Sequence, residues 1–129
     1  VRRDPIVILD GGHNPQCMEA LTQNVSDYLS GYPLTVLTGV LGDKDYAHMY
    51  GRLAAQAARF VTVTPRNPRA LPAAQLTKML SALGKPVTAY DTIAQGVDAA
   101  LSLTPPAGAV LCCGSLYLLG DVLDELDRR

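Results

Sequence analysis

Tryptophan is absent from this chain, phenylalanine occurs once and cysteine occurs three times in 129 residues. Three cysteines, two of them adjacent as Cys112 and Cys113, match neither a disulfide framework nor the usual spacings of zinc ligands. Since neighbouring residues of a strand face opposite sides of a sheet, we expect Cys112 and Cys113 to be small, buried, hydrophobic residues. The cysteines therefore predict no metal site and favour a reducing cytoplasm.

The chain also lacks an excess of charge and a long hydrophobic segment. Its 11 basic and 12 acidic side chains leave a formal net charge of −1, which provides no surface for nucleic acid or an anionic membrane. No apolar run approaches the ~20 residues that a membrane-spanning helix needs. The chain begins at Val1 rather than Met and shows no signal-peptide pattern. We therefore expect a soluble domain that is a fragment of a larger protein.

Five short apolar runs alternate with five amphipathic patterns that have the spacing of helices. The runs predict strands over 6–9, 34–38, 60–64, 86–90 and 109–113. The predicted inward faces of the five helices are Cys17, Leu21, Val25, Tyr28 and Leu29; Met49, Tyr50, Leu53, Ala54 and Ala57; Leu76, Met79, Leu80 and Leu83; Ile93, Val97, Ala100 and Leu101; and Leu116, Leu119, Val122, Leu123 and Leu126. The third helix should begin near Pro72 and stop at Gly84, and Asp91 or Thr92 should cap the fourth.

Strands that alternate with helices predict right-handed crossovers and a mainly parallel sheet. We therefore expect residues 1–129 to form a single α/β domain. It should be a doubly wound, Rossmann-like fold of about five strands, with helices on both faces of the sheet.

The turn after the first predicted strand reads Asp-Gly-Gly-His-Asn-Pro over residues 10–15. In open α/β sheets, ligands bind outside the carboxyl ends of the strands, where this turn should lie. The following helix begins with unpaired N–H groups, which favour anions. An ordinary structural explanation also exists, because Asn14 and Pro15 suit a helix start and His13 can be a simple loop residue.

Two further polar turns follow the second and fifth strands, over residues 39–45 and 114–115. Together with the first turn they offer acids, hydroxyls and cationic donors, which suits a substrate with phosphate, amine or carboxylate groups. Each again has a structural alternative: Asp43 and Asp45 can cap a helix, Lys44 can be a solvated charge, and Ser115 can start a helix.

Several nucleotide-binding folds are excluded by their motifs. The chain contains neither a Gly-x-Gly-x-x-Gly fingerprint nor a P-loop sequence. A phosphorylated receiver domain would require an acidic pair after the first strand, an Asp after the third and a Lys after the fifth. Those positions hold a lone Asp10, then Thr64 and Pro65, then Gly114 and Ser115.

The turns resemble those in the C-terminal domain of folylpolyglutamate synthases, including the bifunctional dihydrofolate synthase form, within the Mur ligase superfamily. The resemblance is carried by Leu-Asp-Gly-Gly-His-Asn-Pro (9–15), Gly-Asp-Lys-Asp (42–45), Gly-Ser-Leu-Tyr-Leu-Leu-Gly (114–120) and the loop over 64–71. The matches are collinear and cover nearly the whole chain.

The resemblance implies an ATP-dependent ligase that forms an acyl phosphate and adds L-glutamate to dihydropteroate or a folyl-polyglutamate. It implies that Asp10 and Asn14 bind nucleotide, that His13 is catalytic and near the glutamate, and that Ser115 binds the glutamate. Weaker candidates for the cleft are Lys44, Asp45 and Arg69. ATP and Mg²⁺ would be held mainly by an N-terminal ATPase domain that this chain lacks.

Two other functions remain open at this point. One is the C-terminal domain of a Mur ligase that acts on a peptidoglycan precursor, which would share this domain layout. The other is a stand-alone α/β module that binds an anion or a partner and catalyses nothing. The sequence alone leaves the choice between dihydrofolate synthase and folylpolyglutamate synthase open as well.

Overall fold

The computed structural model describes residues 6–9, 33–39, 50, 51, 54, 57–66, 70–104, 108–113 and 116–127. Within them, five strands and three helices are formed: β1 (Ile6–Leu9), β2 (Leu34–Thr38), β3 (Arg59–Thr62), α1 (Ala73–Ser81), β4 (Val87–Ala89), α2 (Ile93–Leu103), β5 (Ala109–Cys113) and α3 (Leu116–Asp127). Tyr50, Gly51 and Ala54 also have helical backbone and belong to the predicted second helix. The predicted first helix lies outside the described residues.

All five strands pair in parallel in one sheet with the order β1-β5-β2-β3-β4. The last strand of the sequence therefore lies between the first two. The strand register places Leu9 and Leu37 on either side of Cys112, so β1, β5 and β2 end at nearly the same level. This confirms the predicted parallel α/β sheet.

Two strands are shorter than their hydrophobic patterns predict. β3 ends at Thr62, although the Val63 amide still donates to the Thr38 carbonyl over 3.1 Å. β4 spans three residues at the edge of the sheet, and Pro86 before it has no N–H to donate. The Pro86 carbonyl nevertheless accepts from the Phe60 amide over 2.8 Å.

The two faces of the sheet carry separate hydrophobic clusters, as the alternation of side chains along a strand requires. The first cluster contains Leu34, Val36, Phe60, Ala109, Leu111 and Cys113, covered by Tyr50, Ala54, Ala57, Leu71, Leu76 and Leu80. The second contains Leu37, Val61, Val63, Val110 and Cys112, covered by Ile93, Val97, Ala100, Leu118 and Val122. Helical residues thus contribute to the covering of both faces, and Cys112 and Cys113 are buried on opposite faces, as expected.

The helix boundaries agree with the predicted caps. Pro72 precedes α1, and because it offers no capping side chain, the Thr64 hydroxyl accepts from the Ala73 amide over 2.9 Å. Gly84, after α1, adopts a positive φ of 84°, which glycine tolerates best. Of the two cap candidates for α2, the structure selects Thr92, whose Oγ1 accepts from the Gln95 amide over 3.1 Å.

The predicted inward face of α3 is partly wrong. Leu118 and Val122 are fully buried, whereas Leu123 is 47% exposed. Leu118, Val122 and Leu126 follow one another at four-residue steps, and the face that they define leaves Leu123 on its solvent side. Leu83 also differs, since it lies beyond the end of α1 and is 38% exposed. Among the described residues, the helices are too short or too polar to cross a membrane.

Candidate functional site

The structure brings together the strand ends from which the three polar turns start. β5 lies between β1 and β2, and Thr38 is opposite Cys113 in the register of the sheet. Leu9 of β1 directly precedes Asp10, and Cys113 directly precedes the Gly114-Ser115 turn. The three turns therefore leave the sheet from adjacent strands at one edge, the edge where ligands bind in α/β folds.

The predicted site residues themselves lie outside the described residues. They are Asp10, His13, Asn14, Lys44, Asp45, Arg69 and Ser115. Their individual roles therefore stay predictions, and the described neighbours supply the framework from which they extend.

A series of buried hydrogen bonds, made by two hydroxyl groups and one carbonyl group, lies directly beneath this edge. The Thr38 side chain at the end of β2 donates a hydrogen bond to the Cys113 carbonyl oxygen over 2.9 Å. The same Thr38 Oγ1 is hydrogen-bonded to the Tyr50 hydroxyl. A threonine hydroxyl has a single proton, which goes to the carbonyl, so Tyr50 must be the donor to Thr38. Thr38, Tyr50 and Cys113 are all fully buried.

Burial keeps the Tyr50 hydroxyl protonated. Desolvation, reinforced by the nearby Cys113, holds the pKa of Tyr50 well above its ordinary value, while the hydrogen bond with Thr38 acts in the opposite direction. The Tyr50 ring also packs edge-to-face against Phe60, with the ring centroids 6.2 Å apart. Tyr50 is therefore a neutral hydrogen-bond donor whose ring is held in one orientation.

Sequence reasoning placed Tyr50 in the core but missed its hydrogen-bond partner and missed Thr38 altogether. The available signal was chemical, since a tyrosine on a buried helix face requires a partner for its hydroxyl. Only the three-dimensional structure identifies that partner, because Thr38 belongs to another element.

Gly39, the first residue of the second polar turn, is required by packing. A Cβ built on Gly39 would lie 2.5 Å from the Val63 carbonyl oxygen and 3.0 Å from Cδ of Pro65. Its φ is not positive, since Gly84 is the one positive-φ glycine among the described residues. The close approach at Gly39 is therefore made by the chain leaving β3, which explains this glycine without a ligand.

The loop that contains Arg69 is anchored at both ends. At its start, Thr64 accepts from the Ala73 amide, as described above. Just before it, the Thr62 hydroxyl is hydrogen-bonded to the Thr77 hydroxyl of α1 over 2.7 Å. These bonds tie the loop ends to the same edge of the sheet, at the end of β3.

One open groove among the described residues lies away from this edge. It follows β4 and runs along α2, with Tyr90, Asp91, Asp98 and Ser102 in its lining. β4 is three strands away from β5 in the sheet. Two carboxylates make this groove unsuited to phosphate. In the described part of the chain, no three His, Cys, Asp or Glu side chains are placed to bind a metal ion together.

A parallel sheet with helices on both faces and polar turns at adjacent strand ends defines a Rossmann-like α/β domain. Residues 1–116 match the family described as the glutamate ligase domain of Mur ligases. The chain belongs to this family, which confirms the resemblance of its turns.

Known proteins similar to the chain include two bacterial enzymes. The chain is 35% identical to folylpolyglutamate synthase of Lacticaseibacillus casei over 95% of its length, and it covers 27% of that protein. It is 31% identical to dihydrofolate synthase/folylpolyglutamate synthase of Escherichia coli K12 over its whole length, and it covers 30% of that protein. The chain thus spans less than a third of the length of these relatives.

A solved structure shows the same fold. Escherichia coli FolC, in complex with DHPP and ADP, superposes with a TM-score of 0.87 at 30% identity. The superposition covers the whole of this chain and 30% of the FolC chain. The fold class predicted from the sequence is confirmed by this likeness.

Proposed function

We propose that this chain is the C-terminal domain of an ATP-dependent ligase that joins L-glutamate to dihydropteroate or to a folyl-polyglutamate. The observation that carries the proposal is the adjacency of β1, β5 and β2, which end together and lead into the three polar turns. Similarity over 95% or more of the chain to two folate ligases supports the substrate class.

The remainder of such an enzyme would come from an N-terminal ATPase domain. The relatives are more than three times as long as this chain, which covers 27% of one and 30% of the other. The sequence contains no P-loop, so the phosphate-binding loop and the Mg²⁺ ligands are assigned to that other domain. A cytoplasmic location is part of the proposal, because its reducing conditions would keep the buried thiols of Cys112 and Cys113 reduced.

The residue types in the turns suit this chemistry. The Asp10 carboxylate can accept hydrogen bonds from a nucleotide, while His13 and Asn14 can donate hydrogen bonds to phosphate or to the reacting carbonyl. Ser115 precedes α3, where a hydroxyl and the first N–H groups of a helix can bind the α-carboxylate of glutamate. Lys44, Asp45 and Arg69 would complete the polar lining of the cleft.

The reaction then follows in two steps. A carboxylate oxygen of the folate substrate attacks the γ-phosphorus of ATP, and ADP leaves. The glutamate amine attacks the resulting acyl phosphate at its carbonyl carbon, phosphate leaves, and the amide forms with loss of a proton from nitrogen. Mg²⁺ would neutralise phosphate charge in the first step. His13 would stabilise the charge that develops at the acyl phosphate, and Ser115 would orient the amine.

The two alternative functions left open by the sequence account less well for the similarity to known proteins. A peptidoglycan-precursor ligase belongs to the same family, but the relatives matched over the chain's length are folate enzymes. A module without catalysis would not account for the similarity of the turns to those of ligases.

The test is a ligation assay with the full-length polypeptide that contains this chain. We expect ADP release that requires both L-glutamate and a pterin-containing acid, with one amide formed per ATP consumed. A nucleotide-sugar peptide precursor serves as the competing substrate. ADP release with that precursor and none with pterin substrates would replace this proposal by the cell-wall alternative.

A further inference from the structure

We propose that Thr38 and Tyr50 position the turn that begins at Gly114, and that they thereby set the affinity of the enzyme for glutamate. This inference rests on the proposed function, in which Ser115 binds glutamate. Neither Thr38 nor Tyr50 touches the reacting atoms in this assignment, so both are positioning residues.

The carbonyl that Thr38 holds belongs to the peptide unit through which the chain leaves the sheet. Cys113 is the last residue of β5, and its carbonyl shares one planar peptide unit with the nitrogen of Gly114. The hydrogen bond from Thr38, 2.9 Å long, fixes the direction of this oxygen. The direction in which the chain departs toward Ser115 is fixed with it.

Tyr50 adds a second connection to the same point. It belongs to the helical segment that follows the second polar turn, whereas Cys113 precedes the last one. By donating to Thr38, the Tyr50 hydroxyl leaves the single Thr38 proton free for the Cys113 carbonyl. The hydrogen bonds from Tyr50 to Thr38 and from Thr38 to Cys113 therefore cross the end of β2. They connect the helical segment after the second polar turn to the first peptide unit of the turn at 114–115.

The same strand contains a matched comparison at the opposite end of the sheet. Thr35 of β2 is also fully buried; its hydroxyl is hydrogen-bonded to the Thr104 hydroxyl over 2.6 Å, and its Oγ1 accepts from Arg59 over 3.1 Å. Both partners keep another hydrogen bond if Thr35 is lost, since Thr104 donates to the Ala100 carbonyl and Arg59 donates to the Leu103 carbonyl. Thr35→Val therefore removes a buried threonine hydroxyl from β2 without touching the edge that carries the turns.

The experiment measures steady-state kinetics of the full-length ligase as wild type, Thr38→Val, Thr38→Ser, Tyr50→Phe and Thr35→Val. For Thr38→Val we expect the KM for glutamate to rise roughly five- to tenfold, the equivalent of one net hydrogen bond, with the KM for ATP changed much less. Thr38→Ser keeps the hydroxyl and should restore the KM for glutamate. Tyr50→Phe should raise it less than Thr38→Val, and Thr35→Val should leave it at the wild-type value.

The outcomes separate this inference from the proposed function. If wild type ligates glutamate and Thr38→Val has an unchanged glutamate KM, the positioning role is wrong and the function stands. An equal rise in Thr35→Val would also overturn it, since general loosening of the sheet would then be the cause. If wild type shows no glutamate-dependent turnover, both proposals are wrong. Should Thr38→Val fail to fold, Tyr50→Phe decides the question by the same criterion.

Discussion

Gly96 in α2 packs directly onto Val63, so closely that a Cβ built on the glycine would lie 2.3 Å from Cγ1 of Val63. Val63 is fully buried and β-branched, and therefore has little freedom to move aside. The glycine thus sets how near α2 approaches the sheet.

Replacing this glycine should destabilise the protein. Gly96→Ala gains about 1 kcal/mol of helix propensity, but overpacking of a dense core costs about 1–3 kcal/mol, so we expect a net loss in the free energy of unfolding. Gly120→Ala in α3 is the matched control, because a Cβ there meets nothing within 4 Å. It should stabilise by up to about 1 kcal/mol. Urea unfolding measures both, and a stabilising Gly96→Ala would contradict the close contact.

The stability of the protein should decrease at alkaline pH. Burial raises the pKa of the Cys112 thiol from 9.0 to about 12. Between these values the unfolded chain has lost a proton that the folded chain keeps, so the free energy of unfolding falls as pH rises. Tyr50, with its raised pKa, adds a contribution of the same sign at higher pH. Cys112→Ala should flatten this decline between pH 8 and 11 in urea titrations, and an unchanged slope would contradict the assignment.

The amino end of α2 depends on one hydroxyl. Thr92→Ala removes the hydrogen bond to the Gln95 amide and should cost about 1 kcal/mol of stability. Thr92→Ser keeps the acceptor and should remain close to wild type. Thermal or urea unfolding distinguishes the two variants, and equal stabilities of Thr92→Ala and Thr92→Ser would show that the cap contributes nothing.

Two residues of the turns can be tested for function directly. In the full-length polypeptide, His13→Ala should lower kcat, since loss of one donor at developing charge typically costs about 100-fold or more. Ser115→Ala should chiefly raise the KM for glutamate. Both variants should unfold at the same urea concentration as wild type. Wild-type kinetics in either variant would remove that residue from the proposed site.

The 129-residue chain alone should be catalytically inert. Phosphoryl transfer needs a phosphate-binding loop and a metal site, which the proposal assigns to an N-terminal domain. Incubation of the chain with ATP, Mg²⁺, glutamate and a folate should therefore yield no ADP above background. Steady ligation under these conditions, absent from a preparation carrying His13→Ala, would contradict the two-domain arrangement.

Local patterns predicted much of the fold. β1, β2 and β5 have the bounds that their apolar runs indicate. The two ends of α1 follow from Pro72 and Gly84, and the start of α2 follows from Thr92. These features depend on residues within a few positions of one another. The inward face of α3 was partly misassigned because Leu123 and Leu126 have equal hydropathy, and only packing against α2 and β5 distinguishes them.

The sequence by itself determined which segments form strands and that an acidic, glycine-rich and histidine-containing turn follows the first of them. The tertiary structure alone decided that β5 inserts between β1 and β2, and so which turns start from adjacent strands. It also decided that Thr38 hydrogen-bonds both to Tyr50 and to Cys113, and Cys113 lies 75 positions after Thr38 in the sequence. Strand order and buried hydrogen bonds depend on segments that are distant in the sequence, and such pairings leave no periodic pattern along the chain.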